Sequence, residues 1–432
     1  MAMNRRTFLA TGLGLAAALT TARSQKAHAR RRASSDTSGN FEIAIIGAGL
    51  FGSAAARHLS RLSDGVALIG PAEPRQKSTH QGVFGSHYDV SRLVRGIDPD
   101  LTWATLAKHS IDRYRSIEGS SGIGFYHDIG YMMVTPGGLG TDWFDLPAMR
   151  EVAAELDVDI EDVDDASLEQ RFPYLRFTPG SSAVIQRKNA GYINPRRLLE
   201  AQQKLSIAQG TTLLREVVVQ IRKSGGQIEL DLRSGQKVRA NRVLVATGAY
   251  TNATMLLPHK LDTKIRAAMI MESEVAPETN ASYPTTLYAK TDGEEDFWGL
   301  LMPPITYPDG RSYIKTMDGF YGPAPLEGYA ALGAWNRSNG HEDHHRILQR
   351  ALREVFPSLE VLSTHFKPCL ITDTASHYPY IDMLDDRIGI VVGGNGKAAK
   401  SSDEIGRLAA GMIRTQSWPS SLPQSVFAAH FD

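Results

Sequence analysis

Ile43 to Ile46 form an apolar run without polar alternation, the pattern of a strand buried on both faces. Three closely spaced glycines and a helix-forming stretch, "GLFGSAAARHLS", follow directly. A second buried run spans Val66 to Ile69. "NPRRLLEAQQKLSIAQG" predicts a helix with Asn194 as N-cap, Pro195 at its first position and Gly210 past its end. The segments "TTLLREVVVQIR", "QIELDLR" and "RVLVATGAY" read as short strands separated by Ser-Gly turns, a β-meander leading into a buried strand that stops at Ala246-Thr247-Gly248. Further on, "EDFWGLLMPPITYPDGRSYIKTMDGF" reads as two strands around a Pro-Asp-Gly turn. In "NGHEDHHRILQRALREVF", Ile347, Leu348, Leu352 and Phe356 mark one face of an amphipathic helix. His341, His344 and His345 have i, i+3, i+4 spacing, which could suit a metal but more often marks a polar first turn, and no metal is expected. Near the C-terminus "RIGIVV" runs into Gly393-Gly394-Asn395-Gly396 and a helix predicted to start near Ala398.

The first glycines have the form Gly47-x-Gly49-x-x-Gly52, between a strand and a helix. Gly47 permits the tight turn, Gly49 lets the backbone approach a pyrophosphate, and Gly52 lets helix and strand pack closely. The amides at the helix start would face phosphate charge. The plainer alternative is a purely structural glycine turn. After Val66–Ile69 an acidic residue is expected to hold a ribose, yet the strand ends in Gly70-Pro71. Glu73 could reach from the turn, while Arg75 and Lys77 leave open an NADP site with a basic 2′-phosphate partner, or simply a solvated loop. The meander followed by Ala246-Thr247-Gly248 is an arrangement of FAD-binding folds and favours flavin.

The 432 residues allow two domains or one large composite fold, and an apolar fraction of 42% excludes disorder. Lys and Arg balance Asp and Glu at 47 each, so no basic excess points to nucleic acid. Residues 1–32 carry seven of the basic groups and no acidic one. Residues 1–29 have the parts of an export signal: Arg5-Arg6, an apolar stretch too short and too rich in Gly and Thr for a membrane span, and Ala27-His28-Ala29 as a cleavage pattern. "NRRTFL" resembles the twin-arginine signal, whose machinery moves folded proteins. Residues 30–39 read as a solvated linker. The expectation is an exported protein without stable membrane insertion. The single cysteine, Cys369, excludes an intrachain disulfide framework.

From about Phe41 to the C-terminus the chain resembles, with gaps, the monomeric sarcosine oxidase and N-methyltryptophan oxidase family of D-amino-acid-oxidase-like flavoproteins. The resemblance is carried by "FGSHYDVSRLVRG", "YIK", "KPC" and "GGNGKAAKSSDEIG". It implies that Cys369 is joined through sulfur to FAD, with Lys367 nearby to favour the thiolate; the alternative is a buried inert cysteine. It implies that Arg92 lies over the flavin ring, and that Arg95 and Lys400 hold a substrate carboxylate, the guanidinium by paired hydrogen bonds and the ammonium as a point charge. Lys315 matches a lysine that contacts flavin N5 through water and speeds reaction with oxygen, and Trp298 stands in the substrate pocket. Ser86, His87, Val218, Gly248, Gly394, Gly396 and Lys397 complete the implied cofactor contacts. Family polar groups are replaced at Gly319, Ile371, Lys397 and Trp298, so a larger or more apolar amino acid than sarcosine is the expected guest.

The fold expected is α/β: a Rossmann-like FAD-binding domain from residues 40–106, 180–254 and 366–432, and a mostly antiparallel β substrate domain from 107–179 and 255–365. The activity implied is an amine oxidase that passes the Cα hydride of a carboxylate-bearing amine to flavin N5 and gives hydrogen peroxide from oxygen, in a monomer. Two alternatives stay open: a dehydrogenase using a quinone or protein acceptor, and a non-catalytic flavin-bearing binding protein.

Overall fold

A computed structural model describes residues 39–141, 143–279, 282–293, 296–318 and 325–432. The expected export signal and Gly319 lie outside the described residues. Residues 40–432 form one compact unit. Its first sheet is built on the buried strand Asn40–Ile46, which pairs in parallel with Val66–Ile69 on one side and Lys237–Val245 on the other. Thr212–Leu214 extends the parallel set beyond Val66–Ile69. On the far side, Lys237–Val245 divides its edge: Asp231 to Ile228 of the meander pair with its first half, and Ile388–Val392 runs parallel to its second half. Ile43, Ala44, Ile45 and Ile46 are all buried, as expected for a parallel sheet covered on both faces.

The helices over this sheet follow local signals. Asn194 accepts a hydrogen bond from Arg197 N at the start of Pro195–Ala208, and Asp100 caps Leu101–Ser121 through Trp103 N, each satisfying an amide that the first turn leaves unpaired. Leu50–Leu59 packs against Ser402–Thr415 through small residues. A Cβ on Gly406 would come within 2.5 Å of Ala54 Cβ and 2.8 Å of Ala55 N.

The second large sheet runs in the order Ser363–Thr374, Thr263–Val275, Ser312–Asp318, Phe297–Thr306, Thr285–Lys290, Tyr131–Pro136, Ser181–Gln186, Glu161–Val163. It is antiparallel except where Thr285–Lys290 meets Tyr131–Pro136. A three-stranded sheet of Arg92–Val94, Gly191–Ile193 and Tyr126–Asp128 completes the fold. The expected α/β class, with a Rossmann-like part and a mostly antiparallel part, is what the strands form.

Several local expectations change. "TTLLREVVVQIR" is not one strand: Thr212–Leu214 and Val218–Ser224 lie at opposite edges of the first sheet. Ser181–Gln186 and the part of Ser363–Thr374 from Phe366 on, which the sequence grouped with the nucleotide-binding segments, hydrogen-bond into the second sheet. The C-terminal glycine run leads into successive turns, and the helix begins at Ser402 rather than near Ala398. Its first turn carries Asp403 and Glu404, paired with Arg57, Arg113 and Arg407, so its dipole is met by its own carboxylates. Of the three histidines, His341 caps the helix Glu342–Val355 through Asp343 N, and His345 stacks on Phe366.

Two identical substitutions should act with opposite sign. Gly406→Ala should cost about 1–3 kcal/mol, because two helices must separate to admit the methyl group. Gly119→Ala, where an added Cβ meets nothing within 4 Å, should gain up to about 1 kcal/mol from helix propensity. Urea midpoints of the holoprotein would measure both.

Candidate active site

A cavity of about 1040 Å³ is lined by residues of both large sheets, ample for an extended cofactor and a small substrate. Gly47 (φ +112°) begins the turn, where a Cβ would lie 2.2 Å from Ala246 O. Gly52 does not line the cavity; it lets the helix sit on the turn, since a Cβ there would lie 1.9 Å from Gly47 O. Gly49 is the N-cap of Leu50–Leu59, which has no capping side chain and no acidic residue in its first turn. A Cβ on Gly49 would meet nothing within 4 Å, so the first amides open onto the cavity as a phosphate cradle. Ser86, His87, Val218, Gly248, Gly394, Gly396 and Lys397 line the same space. Burial lowers His87 to about 4, which leaves its imidazole neutral at physiological pH.

Glu73 does not face this cavity. It accepts from Arg196 Nε and Nη2 at 2.7 and 2.8 Å beside a smaller cavity. Burial alone would raise its pKa, but Arg196 and Lys77 bring it below the usual range. Arg75 is exposed and away from the cavity, while Lys77 lines it over the ring of Tyr88.

Arg92 and Arg95, three residues apart on and just after a short strand, both line the cavity. Each is paired to an aspartate three residues away, which the sequence reading passed over: Arg92 Nε to Asp89 Oδ2 at 3.2 Å, and Arg95 Nη2 to Asp98 Oδ2 at 2.5 Å. The spacing Asp89, Arg92, Arg95, Asp98 is the signal that could have revealed them. Asp98 also receives Lys397 Nζ at 2.9 Å. Burial opposes its charge, but Arg95, Lys397 and Lys400 hold it well below the ordinary carboxylate range. Arg95 is 1% exposed, donates Nη1 to Tyr131 OH, and keeps Nε without a partner among the described residues. That unbonded donor at a cavity wall suits an incoming carboxylate.

Lys400 lines the cavity with its ammonium on Lys397 O at 2.9 Å, and burial lowers its pKa to about 7. Lys397 lies 4.6 Å from the centre of the Trp143 ring. Phe144 follows and meets Trp298 edge-to-face at 5.7 Å. All three aromatics line the cavity, although only Trp298 was anticipated. Trp143 and Phe144 sit in a loop without periodic patterning, which gave no cue.

Lys315 corrects an expectation. It does not line the cavity; its ammonium is fully buried behind the wall, donating to Asp89 Oδ2 at 2.7 Å and to Ser91 O. Burial lowers its pKa, with Asp89 opposing. The cation beside Cys369 also differs from the one expected. Lys367 is paired with Glu272, while Arg92 Nη2 lies 3.7 Å from Cys369 Sγ. Cys369 and Arg92 both face the cavity, so sulfur, guanidinium and phosphate cradle share one space that fits FAD.

Residues 42–412 match the family model described as FAD dependent oxidoreductase, DAO. Peroxisomal sarcosine oxidase of Mus musculus is 27% identical over 217 residues, covering 49% of this chain and 51% of the mouse protein. The chain thus spans about half the length of that relative. Monomeric sarcosine oxidase of Bacillus sp. (strain B-0618) is 21% identical over 384 residues, covering 85% and 91%. In fold, the chain is similar to the open form of NikD, described as an unusual amino acid oxidase essential for nikkomycin biosynthesis, with TM-score 0.72 at 19% identity over 91% of this chain and 98% of that one. L-proline dehydrogenase from P. horikoshii gives TM-score 0.70 at 16% identity, covering 90% and 96%. With the family match spanning most of its length and a glycine cradle opening on a cavity that fits the dinucleotide, the chain belongs to the FAD dependent oxidoreductase family.

Proposed function

We propose that this protein is an amine oxidase that converts a carboxylate-bearing amine or amino acid with a bulky apolar substituent to its imine, with oxygen as electron acceptor and hydrogen peroxide as product. The observation that carries this reading is the direct succession of an anion site and an aromatic wall. Arg95, Asp98 and Lys397 are linked by ion pairs, and Lys397 lies over Trp143, whose neighbour Phe144 meets Trp298. Relatives named as sarcosine oxidases support an amine substrate. Bound FAD supplies the two-electron redox chemistry. The chain positions the reactant: Arg95 Nε and the Lys400 ammonium hold the carboxylate, Asp98 and Tyr131 fix the guanidinium, and the aromatic side chains exclude water from the reacting C–H bond.

Cys369, with Arg92 beside its sulfur, is the proposed attachment point of FAD. In this reading segments 40–106, 180–254 and 366–432 chiefly hold FAD, and the rest covers the substrate. The twin-arginine segment is read as an export signal that acts after folding and cofactor loading. No helix among the described residues is long and apolar enough to cross a membrane. The second reading is a dehydrogenase with a quinone acceptor. It is favoured by the burial of Lys315 against Asp89, which removes from the cavity the cation expected to assist oxygen.

A panel of N-methyl, cyclic and aromatic amino acids should include a compound that bleaches the yellow protein anaerobically, followed by recovery in air with peroxide release. Recovery by a soluble quinone alone would establish the dehydrogenase, and no bleaching by any member would leave only a flavin-binding protein. Acid-precipitated protein should stay yellow, whereas Cys369→Ser should release its pigment to the supernatant. An aromatic carboxylate such as benzoate, titrated by cofactor absorbance, should bind with a constant Kd between about pH 5, above the ligand's own titration, and about pH 6. As Lys400 loses its proton above about pH 7, its attraction for the anion goes, so affinity should weaken by up to about tenfold per pH unit. Lys400→Met should bind more weakly and without that dependence.

A further inference from the structure

Lys400 differs from the cations clustered with it. Arg92, Arg95, Lys315 and Lys397 each have a carboxylate oxygen within 3.2 Å. Lys400 is 3% exposed and lines the cavity, yet among the described residues no carboxylate lies within ion-pair distance of its nitrogen. Its hydrogen-bond partner is a backbone carbonyl, Lys397 O at 2.9 Å. The two acids that act on it from further away are engaged elsewhere. Asp98 accepts from Arg95 on one oxygen and from Lys397 on the other. Asp100 caps the helix Leu101–Ser121 through Trp103 N and accepts from the Tyr378 hydroxyl. That helix presents the Trp103 ring, its centre 5.8 Å from Lys400 Nζ, and the Tyr114 hydroxyl, which donates to Lys400 O. Asp403 and Glu404, at the start of the next helix, are taken by Arg57, Arg113 and Arg407. With one N–H on Lys397 O, an uncharged Lys400 keeps its lone pair for a ligand in the cavity.

The oxidation of an amine needs a free electron pair on the substrate nitrogen. The C=N bond forms from that pair as the hydride leaves Cα, and an ammonium has none to give. Amino acids arrive as zwitterions, so one proton must leave the nitrogen first. The carboxylate and amine of an α-amino acid share one carbon, so a group hydrogen-bonded to the carboxylate at about 2.9 Å stands within similar reach of the nitrogen. We propose that Lys400 is the catalytic base that takes this proton. The ammonium N–H bond breaks, the lone pair of Lys400 Nζ forms the new N–H bond, and the substrate nitrogen keeps its own pair, with no change of oxidation state. The same transfer turns Lys400 into the cation that, with Arg95, holds the carboxylate. The proton passes to solvent after the imine leaves, which regenerates the base. Burial lowers Lys400 to about 7, with Asp98 opposing and Arg95 and Lys397 adding to the effect. The free protein therefore holds the uncharged amine above neutral pH. The inference rests on the reading of the substrate as a carboxylate-bearing amine and gives the lysine a task beyond anchoring it.

The test uses the FAD-loaded protein and two unreactive probes, 3-phenylpropanoate and α-methylphenylalanine. Binding is read by cofactor absorbance and proton exchange by an indicator dye in weak buffer. The first probe is an anion without an amine; the second is a zwitterion with no Cα hydrogen to lose. Between about pH 5.5 and 8 the free acid stays a carboxylate and the free amino acid a zwitterion, while His87 on the cavity wall stays neutral. Affinity for 3-phenylpropanoate should be constant up to about pH 6 and weaken by up to about tenfold per unit above about pH 7, with close to one proton taken up per site at about pH 8. α-Methylphenylalanine should show the opposite slope. Its affinity should rise by up to about tenfold per unit toward about pH 7 and then level off, with no net proton exchange at about pH 8, because its own ammonium supplies the proton. Lys400→Met should lose the inflection near pH 7 for both probes. Parallel weakening of both probes above that pH in the wild type would overturn the base role while leaving the anion site standing, and this result needs no variant to fold. An inflection that survives in Lys400→Met would overturn it as well. Binding of neither probe at any pH would remove the reading of the substrate as a carboxylate-bearing amine, and this inference with it.

Discussion

Two buried aspartates make the rest of this site possible. Arg92, Arg95, Lys315, Lys397 and Lys400 crowd around one cavity, and most of them are deeply buried. Unpaired, such a cluster would carry a severe desolvation penalty along with mutual repulsion. Asp89 meets Arg92 and Lys315, and Asp98 meets Arg95 and Lys397. The cations are thus held in place by opposite charge at the cavity wall. Removing either aspartate would leave buried charge uncompensated as well as disturbing geometry.

These pairs also join parts of the chain that are far apart in sequence. Asp98 binds the C-terminal turn through Lys397, and Asp89 binds the second sheet through Lys315. The short Arg92–Val94 strand therefore acts as a hub between the nucleotide cradle, the antiparallel sheet and the C-terminal turns. A site assembled from three segments by buried ion pairs resists small displacements, because each pair has a steep dependence on distance in a low-dielectric interior.

The division of charge between the two faces of that hub separates two tasks. Arg95, with Asp98, Lys397 and Lys400, stands next to the aromatic wall and suits recognition of a substrate anion. Arg92, with Asp89 and Lys315, stands next to Cys369 and suits the handling of the cofactor. Trp143 is packed over Gly396, where an added Cβ would lie 3.2 Å from its ring. The glycine turn thus brings Lys397 and an aromatic side chain into the same corner.

Local patterns determined much of this in advance. The Ile43–Ile46 run followed by Gly47, Gly49 and Gly52 specified the cradle because strand burial, a left-handed turn and an uncapped helix start are all short-range properties. Asn194 and Pro195 specified a helix start for the same reason. The two arginines, Lys400 and Cys369 were found through resemblance, and they do reach one cavity. What the chain could not disclose locally was pairing between distant segments. Lys315 sits on a strand whose alternation says only that it points to one side; Asp89, more than two hundred residues earlier, decides that its ammonium lies behind the wall. The same holds for Lys367, taken by Glu272 instead of assisting Cys369, and for Glu73, turned to Arg196. A buried charge settles wherever its desolvation is best offset, and only the tertiary structure says which opposite charge is near.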